Sequence, residues 1–238
     1  MKNFIFPLLL LFANHSDALT LATEDYPPFN FVDSKTGKIT GMATDKIVVM
    51  MQRAKIDYQI GIYPWTRAIQ MAQQSPDTCV FSMVRNSERE SAYRWVGPLG
   101  KNNWVIYGRS SNPVTPKSLD DIRNNVIGVY RNSAIGTYLQ QQRFKLDWAN
   151  YDSENPRKLT FGRFDYWASG EVMGQYHIAL SDLQGQIIPL FTFNSAQMYL
   201  ACNVLVPQKT IDLLNQTLKE MDRDGTSAAI SRKYKNND

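Results

Sequence analysis

Beyond its first eighteen residues the chain holds one histidine, His177, and two cysteines, Cys79 and Cys202, so few residues are equipped for bond-making chemistry. A nucleophile needs a base beside it, and a metal needs ligands at close spacing. His177 sits in Gln175-Tyr176-His177-Ile178 without a cysteine at metal spacing and reads as a satisfied structural histidine. Glu24-Asp25 and Glu88-Arg89-Glu90 are adjacent carboxylates without the spacing that acid/base work needs. There is no Gly-x-Ser-x-Gly or phosphate-loop motif. What remains suits binding. Arg85 and Arg89 carry planar guanidinium groups that match a carboxylate bidentately, although either equally fits an ion pair with Glu88 or Glu90. Tyr26 and Trp65 offer flat apolar faces that also attract cations, although a lone Trp is equally a core residue.

The elements that must position these residues alternate in type. Strand patterns cover residues 19–22, 58–62, 79–84, 104–107, 126–130, 164–168 and 187–191, with a long apolar run at 198–206. Helical patterns cover 44–54, 65–74, 134–143 and 210–223, with a short helix after the N-cap Ser118 and a Gly225 stop after the last. Strands alternating with helices imply βαβ units and a mostly parallel sheet. Asn132-Ser133 precede one helix, where free backbone N–H groups favour an anion, though such residues are also ordinary caps.

Composition narrows the class further. With 238 residues, 43% hydrophobic and 20% charged, the chain is ordinary for a globular protein. A net charge of +4 without a dense basic stripe argues against nucleic acid. Lys2, the apolar residues 4–13 and the small-x-small Ser16-Asp17-Ala18 form a cleavable export signal too short to span a bilayer. The expected compartment is the periplasm, with the leader at residues 1–18.

Five segments in order carry a resemblance: Tyr26-Pro27-Pro28-Phe29, residues 41–45, residues 85–99, Gly162-Arg163-Phe164-Asp165, and residues 221–234. Together they resemble solute-binding protein family 3, the periplasmic binders of polar amino acids. Pro64-Trp65-Thr66-Arg67-Ala68 and Trp95-Val96-Gly97-Pro98 look like a divergent branch of it. The resemblance implies a two-lobed α/β periplasmic-binding-protein fold (type II), each lobe a mostly parallel sheet flanked by helices, with two crossing hinge strands. Lobe one would be residues 19–108 and 196–238, and lobe two residues 109–195.

By the same resemblance, Tyr26 and Trp65 would sandwich the solute and Arg89 would fork onto its carboxylate, helped by Ser82, Arg85, Asn132 and Ser133. Asn86 replaces a threonine common in that motif, and Asn132-Ser133-Ala134 departs from a Gly-Thr-Thr-like pattern. Where amino-acid binders carry a carboxylate for the α-ammonium group stands Gly170, with Glu171 next and Trp167 close by. Cys79 and Cys202 would fall on neighbouring strands of lobe one and form a disulfide, two buried free thiols being the alternative.

The chain is therefore expected to be a monomeric carrier without cofactor, metal or catalytic residues. Its partners would be a small carboxylate-bearing solute and the permease of an ABC-type transporter. A ligand sensor docking on a membrane receptor is the alternative, and an enzyme on the same fold a distant one. The exported form is expected to start at Leu19 or within a residue or two of it. N-terminal sequencing of the exported protein checks this, and an intact Met1 is the contrary result.

Overall fold

Leu19, Leu21, Ala22 and Thr23 are buried on both faces of one strand, as a central strand of a parallel sheet requires. The computed structural model describes residues 18–234, so the expected leader falls outside the described residues except for Ala18. In chain order the first elements are β1 (Leu19–Thr23), β2 (Phe31–Val32), β3 (Ile39–Thr40), α1 (Met42–Ala54), β4 (Tyr58–Ile62) and α2 (Trp65–Gln74). Then come β5 (Thr78–Val84), β6 (Arg94–Arg109), β7 (Val126–Tyr130), α3 (Ala134–Gln141), β8 (Lys145–Ala149) and α4 (Asn155–Thr160). The chain closes with β9 (Tyr166–Gly170), α5 (Glu171–Leu180), β10 (Ile187–Cys202), α6 (Gln208–Arg223) and α7 (Thr226–Lys233).

Eight strands make one sheet in the order β4-β1-β5-β10-β6-β9-β7-β8. β4, β1 and β5 run parallel in one half, and β9, β7 and β8 run parallel in the other. The antiparallel pair β6 and β10 passes through both halves. In the first lobe, Ile47 and Met50 of α1 pack with Leu214 and Met221 of α6 over Leu21, Phe81 and Leu200. α2 covers the opposite face with Ala68 and Ala72. In the second lobe, α3 packs Leu139 on one face, while Leu159 of α4 and Ile178 of α5 cover the other. This is the two-lobed periplasmic-binding-protein architecture, with helices on both faces of each half-sheet.

The structure differs from the sequence reading in four places. The strand expected at 104–107 runs from Arg94 to Arg109, and its irregular register with β10 absorbs Gly97-Pro98-Leu99, which read as a break. The segments 187–191 and 198–206 belong to one strand, β10, that ends at Cys202. Its middle, residues 192–197, pairs with β6 alone and is partly open to solvent, so it is polar and reads as a loop. The helix α5 was not anticipated: Gly174 interrupts its pattern, because an ideal Cβ there would lie 2.5 Å from the Tyr107 ring. Trp104, Val105, Ile106 and Tyr107, expected in the first lobe, pair with β9 of the second.

Cys202 lies opposite Cys79 in the β10–β5 ladder, and the two form a disulfide across a sequence separation of 123. Replacing both by Ser is expected to destabilise the fold by about 4–5 kcal/mol in the chain-entropy account. Denaturant titration measures that loss. Denatured, unreduced wild-type protein should show no titratable thiol, since no free cysteine is present among the described residues.

Candidate functional site

Residues just past the carboxyl ends of β1, β4, β7 and β8 meet where the lobes face each other, the usual position for a ligand in such sheets. Two chambers lie there and share Glu24, Tyr26, Trp65 and Tyr130 in their walls. The inner one, about 30 Å³, adds Ser82, Arg89, Trp104 and Ser133. The outer one, about 370 Å³, adds Asp25, Asp152, Tyr176 and His177.

The inner chamber is drawn shut by bonds between the lobes. Asn132, in the left-handed region at φ 60° that Asn tolerates, presents its carbonyl oxygen to the first lobe. That oxygen accepts from Trp65 Nε1 at 3.1 Å and from an Arg89 guanidinium nitrogen at 2.7 Å. Asn132 Nδ2 donates to Thr66 Oγ1 at 3.0 Å, and Tyr130 Oη donates to Glu24 at 3.3 Å. Arg89 also donates to Val84 O at 3.1 Å, and burial pulls its pKa below the ordinary guanidinium value. Ser133 caps α3, its Oγ accepting from Gly136 N–H at 3.0 Å. Ser82 donates to Asn30 Oδ1. Trp104 Nε1, on a side chain 4% exposed, has no partner.

Tyr26, Trp65, Ser82, Arg89 and Ser133 are therefore brought together, with Asn132 at the lobe contact. Three expected residues fall elsewhere. Arg85 takes its alternative, an ion pair with Glu90, its guanidinium lying over the rings of Trp95 and Tyr199 outside both chambers. Glu171 turns toward β6 and accepts from Asn103 Nδ2 at 2.8 Å. Trp167 is fully buried against Tyr107 and reaches the site only through Asp152, to which its Nε1 donates at 2.8 Å.

Asp152 is the main residue the sequence reading missed. It follows β8, a strand that reading did not recognise, so nothing marked its position. Its carboxylate also accepts from Ser169 Oγ and from Asn155 Nδ2 at 2.9 Å. His177 is not the satisfied structural histidine expected: it is 8% exposed, lines the outer chamber, and its Nδ1 has no partner. Burial lowers its pKa, partly offset by Asp152 and Asp25. Glu24 is pushed up to about 8, chiefly by burial and then by Asp152, against the Tyr130 hydrogen bond.

A model of the bacterial extracellular solute-binding proteins, family 3, matches residues 19–237. The chain belongs to that family. Among its relatives is the L-cystine-binding protein TcyJ of Escherichia coli (strain K12), 23% identical over 216 residues, covering 88% of this chain and 79% of that protein. A histidine kinase sensor domain with similarity to periplasmic binding proteins superposes with a TM-score of 0.82 at 17% identity, over 91% of this chain and 95% of that one. An ancestral arginine-binding protein bound to arginine gives 0.79 at 20% identity, over 91% and 97%. The two structures share the fold.

Against the family pattern, Gly170 has a local reason. An ideal Cβ at Gly170 would lie 2.3 Å from Tyr26 Oη, which accepts from Asn102 Nδ2 at 2.8 Å. Gly170→Asp is expected to destabilise by about 1–3 kcal/mol through overpacking, read as a lowered Tm. Glu24 generates a pH prediction. Its folded-state pKa lies above the ordinary 4.5, so the folded protein holds a proton the unfolded chain has lost, and stability falls as pH rises from about 4.5 to about 8. The slope is at most about 1.4 kcal/mol per pH unit. Glu24→Gln should therefore raise Tm at pH 8.5 and leave it nearly unchanged at pH 4, as thermal melts at both would show.

Proposed function

We propose that this family 3 protein works in the periplasm as a monomer, closing its two lobes on a small carboxylate-bearing solute of the amino-acid class. The observation that carries the reading is the position of Arg89. Its guanidinium sits in the inner chamber beside the start of α3 and Trp104, whose indole N–H is an unused donor. A solute carboxylate entering there replaces the Asn132 carbonyl as partner of Arg89 and gains the Trp104 donor, while Tyr26 and Trp65 flank its body. The relatives named for L-cystine binding support the amino-acid class.

Delivery to the permease of an ABC-type transporter is the role we assign to the loaded form. Sensing through a membrane receptor is a second reading, supported by the likeness to a kinase sensor domain. Neither needs a cofactor or a catalytic group.

A thermal-shift screen of amino acids and small carboxylates should return stabilising ligands, because a ligand bound only to the folded state raises Tm. For a ligand so found, calorimetry should show Arg89→Ala losing about 2–5 kcal/mol of binding free energy. Glu171→Ala, outside both chambers, should lose far less. Unchanged binding in Arg89→Ala would retire the carboxylate reading.

A further inference from the structure

The end of the second lobe that faces away from the cleft is basic and carries an apolar tip. Strands β7, β8 and β9 run parallel, so their starts lie together, opposite the carboxyl ends that border the cleft. Lys145 opens β8 across from Val126. The turn after α4 brings Phe161, Gly162 and Arg163 to the same end, where Asp165 N–H donates to Val126 O at 3.0 Å. Phe161 is 80% exposed, more than any other large apolar side chain among the described residues. Its turn stands clear of the body: a Cβ on Gly162, at φ 68°, would meet nothing within 4 Å. Arg157 lies one helical turn before Phe161 on the same side, its carbonyl accepting from Phe161 N–H at 3.0 Å. Arg143 holds a left-handed position just past α3, at φ 61°, a place that usually falls to glycine.

The fold itself asks little of these cations. Helix ends attract positive charge, but Arg109 already donates to Leu159 O near the end of α4 at 2.9 Å, and Arg123 to Gln142 O after α3 at 2.8 Å. The neighbouring acids are engaged as well: Asp120 pairs with Arg123, Asp147 with Lys158, and Asp165 accepts from Val126 N–H at 2.9 Å. Arg143, Lys145, Arg157 and Arg163 form no ion pair among the described residues, and Lys145 reaches only the Asn124 carbonyl, at 3.5 Å. We infer that this end of the second lobe docks on an anionic phospholipid bilayer, Phe161 entering the headgroup layer while Arg143, Lys145, Arg157 and Arg163 pair with lipid phosphates. The charge pattern alone fits any polyanion. The exposed ring selects the bilayer, because an aromatic side chain gains by leaving water for the membrane interface. Each cation near an anionic surface is worth about fivefold in affinity, so this set gives reversible attachment rather than anchoring. The cleft lies at the other end of the lobe and stays open to its solute. Attachment holds the protein beside the membrane in the compartment proposed above, whatever that solute is.

The test is co-sedimentation of the mature chain, without an affinity tag, with lipid vesicles. One set mixes phosphatidylglycerol and phosphatidylcholine in equal parts, a second is phosphatidylcholine alone, and heparin serves as a soluble polyanion. Expected is binding to the anionic vesicles at about 50 mM salt, weakened by about tenfold or more at about 500 mM, and none to phosphatidylcholine alone. Phe161→Ser should weaken that binding by about tenfold. Arg157→Glu combined with Arg163→Glu should weaken it by at least about a hundredfold. Lys35→Glu combined with Lys38→Glu makes the same charge change at exposed positions of the first lobe and should bind nearly as well as wild type. All these side chains are exposed, and thermal melts check that each variant folds. Should one second-lobe variant not fold, the other decides. Absence of binding to the anionic vesicles overturns the inference, as does unchanged binding in the Arg157 and Arg163 double variant. An equal loss in the first-lobe control reduces the effect to net charge and also overturns it. Heparin binding as tight as vesicle binding, with Phe161→Ser unaffected, overturns it in favour of a soluble polyanion. Each of these results leaves the solute-binding reading standing.

Discussion

The antiparallel pairing of β6 with β10 is the interaction on which everything else in this molecule depends. The two sixteen-residue strands bond to each other from one half-sheet into the other. Among the described residues no third strand flanks them between the halves, so this ribbon can bend with its two-strand pairing intact. Each lobe keeps its own packed interior on both sheet faces. Opening the cleft parts the apolar contacts that Met173, Tyr176 and Tyr130 of the second lobe make with the first-lobe core. It breaks a handful of polar bonds, chiefly those on the Asn132 carbonyl and amide and between Gln141 and Glu88. Such bonds are worth about 0.5–1.5 kcal/mol each, so closure is balanced finely enough for a small solute to decide it.

That balance explains why the cleft is built from unlike materials. The inner chamber collects donors and the outer chamber collects carboxyl groups, with Tyr26 and Trp65 common to both walls. A closed cleft excludes water, so each unmatched charge there carries a large penalty and the protein keeps Glu24 neutral instead. Asp152 is held by three donors, two of which come from β9 behind it. The second lobe thus spends part of its core, Trp167 above all, on holding one acidic side chain in place.

Much of the frame was legible in the sequence, and the reasons are local. Tyr58–Ile62 and Val126–Tyr130 match their expected bounds because each is a short apolar run closed by turn residues. Trp65–Gln74 shows its buried stripe of Trp65, Ala68 and Ala72 at helical spacing. On the first lobe the chamber-lining Tyr26, Trp65 and Arg89 were legible, because they follow recognisable strand ends. On the second lobe it was not. Lys145–Ala149 is too polar to announce itself as a strand, and with β8 unseen Asp152 had no address. Glu24 and His177 were visible as residue types, but their meaning came only from tertiary burial, which no spacing rule supplies.

The close approach of Tyr26 Oη to the α-carbon side of Gly170 also constrains how this cleft can change over generations. Any side chain at Gly170 collides with the Tyr26–Asn102 hydrogen bond, while trimming Tyr26 alone leaves Asn102 without its partner and the sandwich without one wall. Changing either position alone would therefore give a less stable intermediate, whichever replacement came first. Positions 26 and 170 are 144 residues apart in the chain, yet neither side chain can change without affecting the space left to the other.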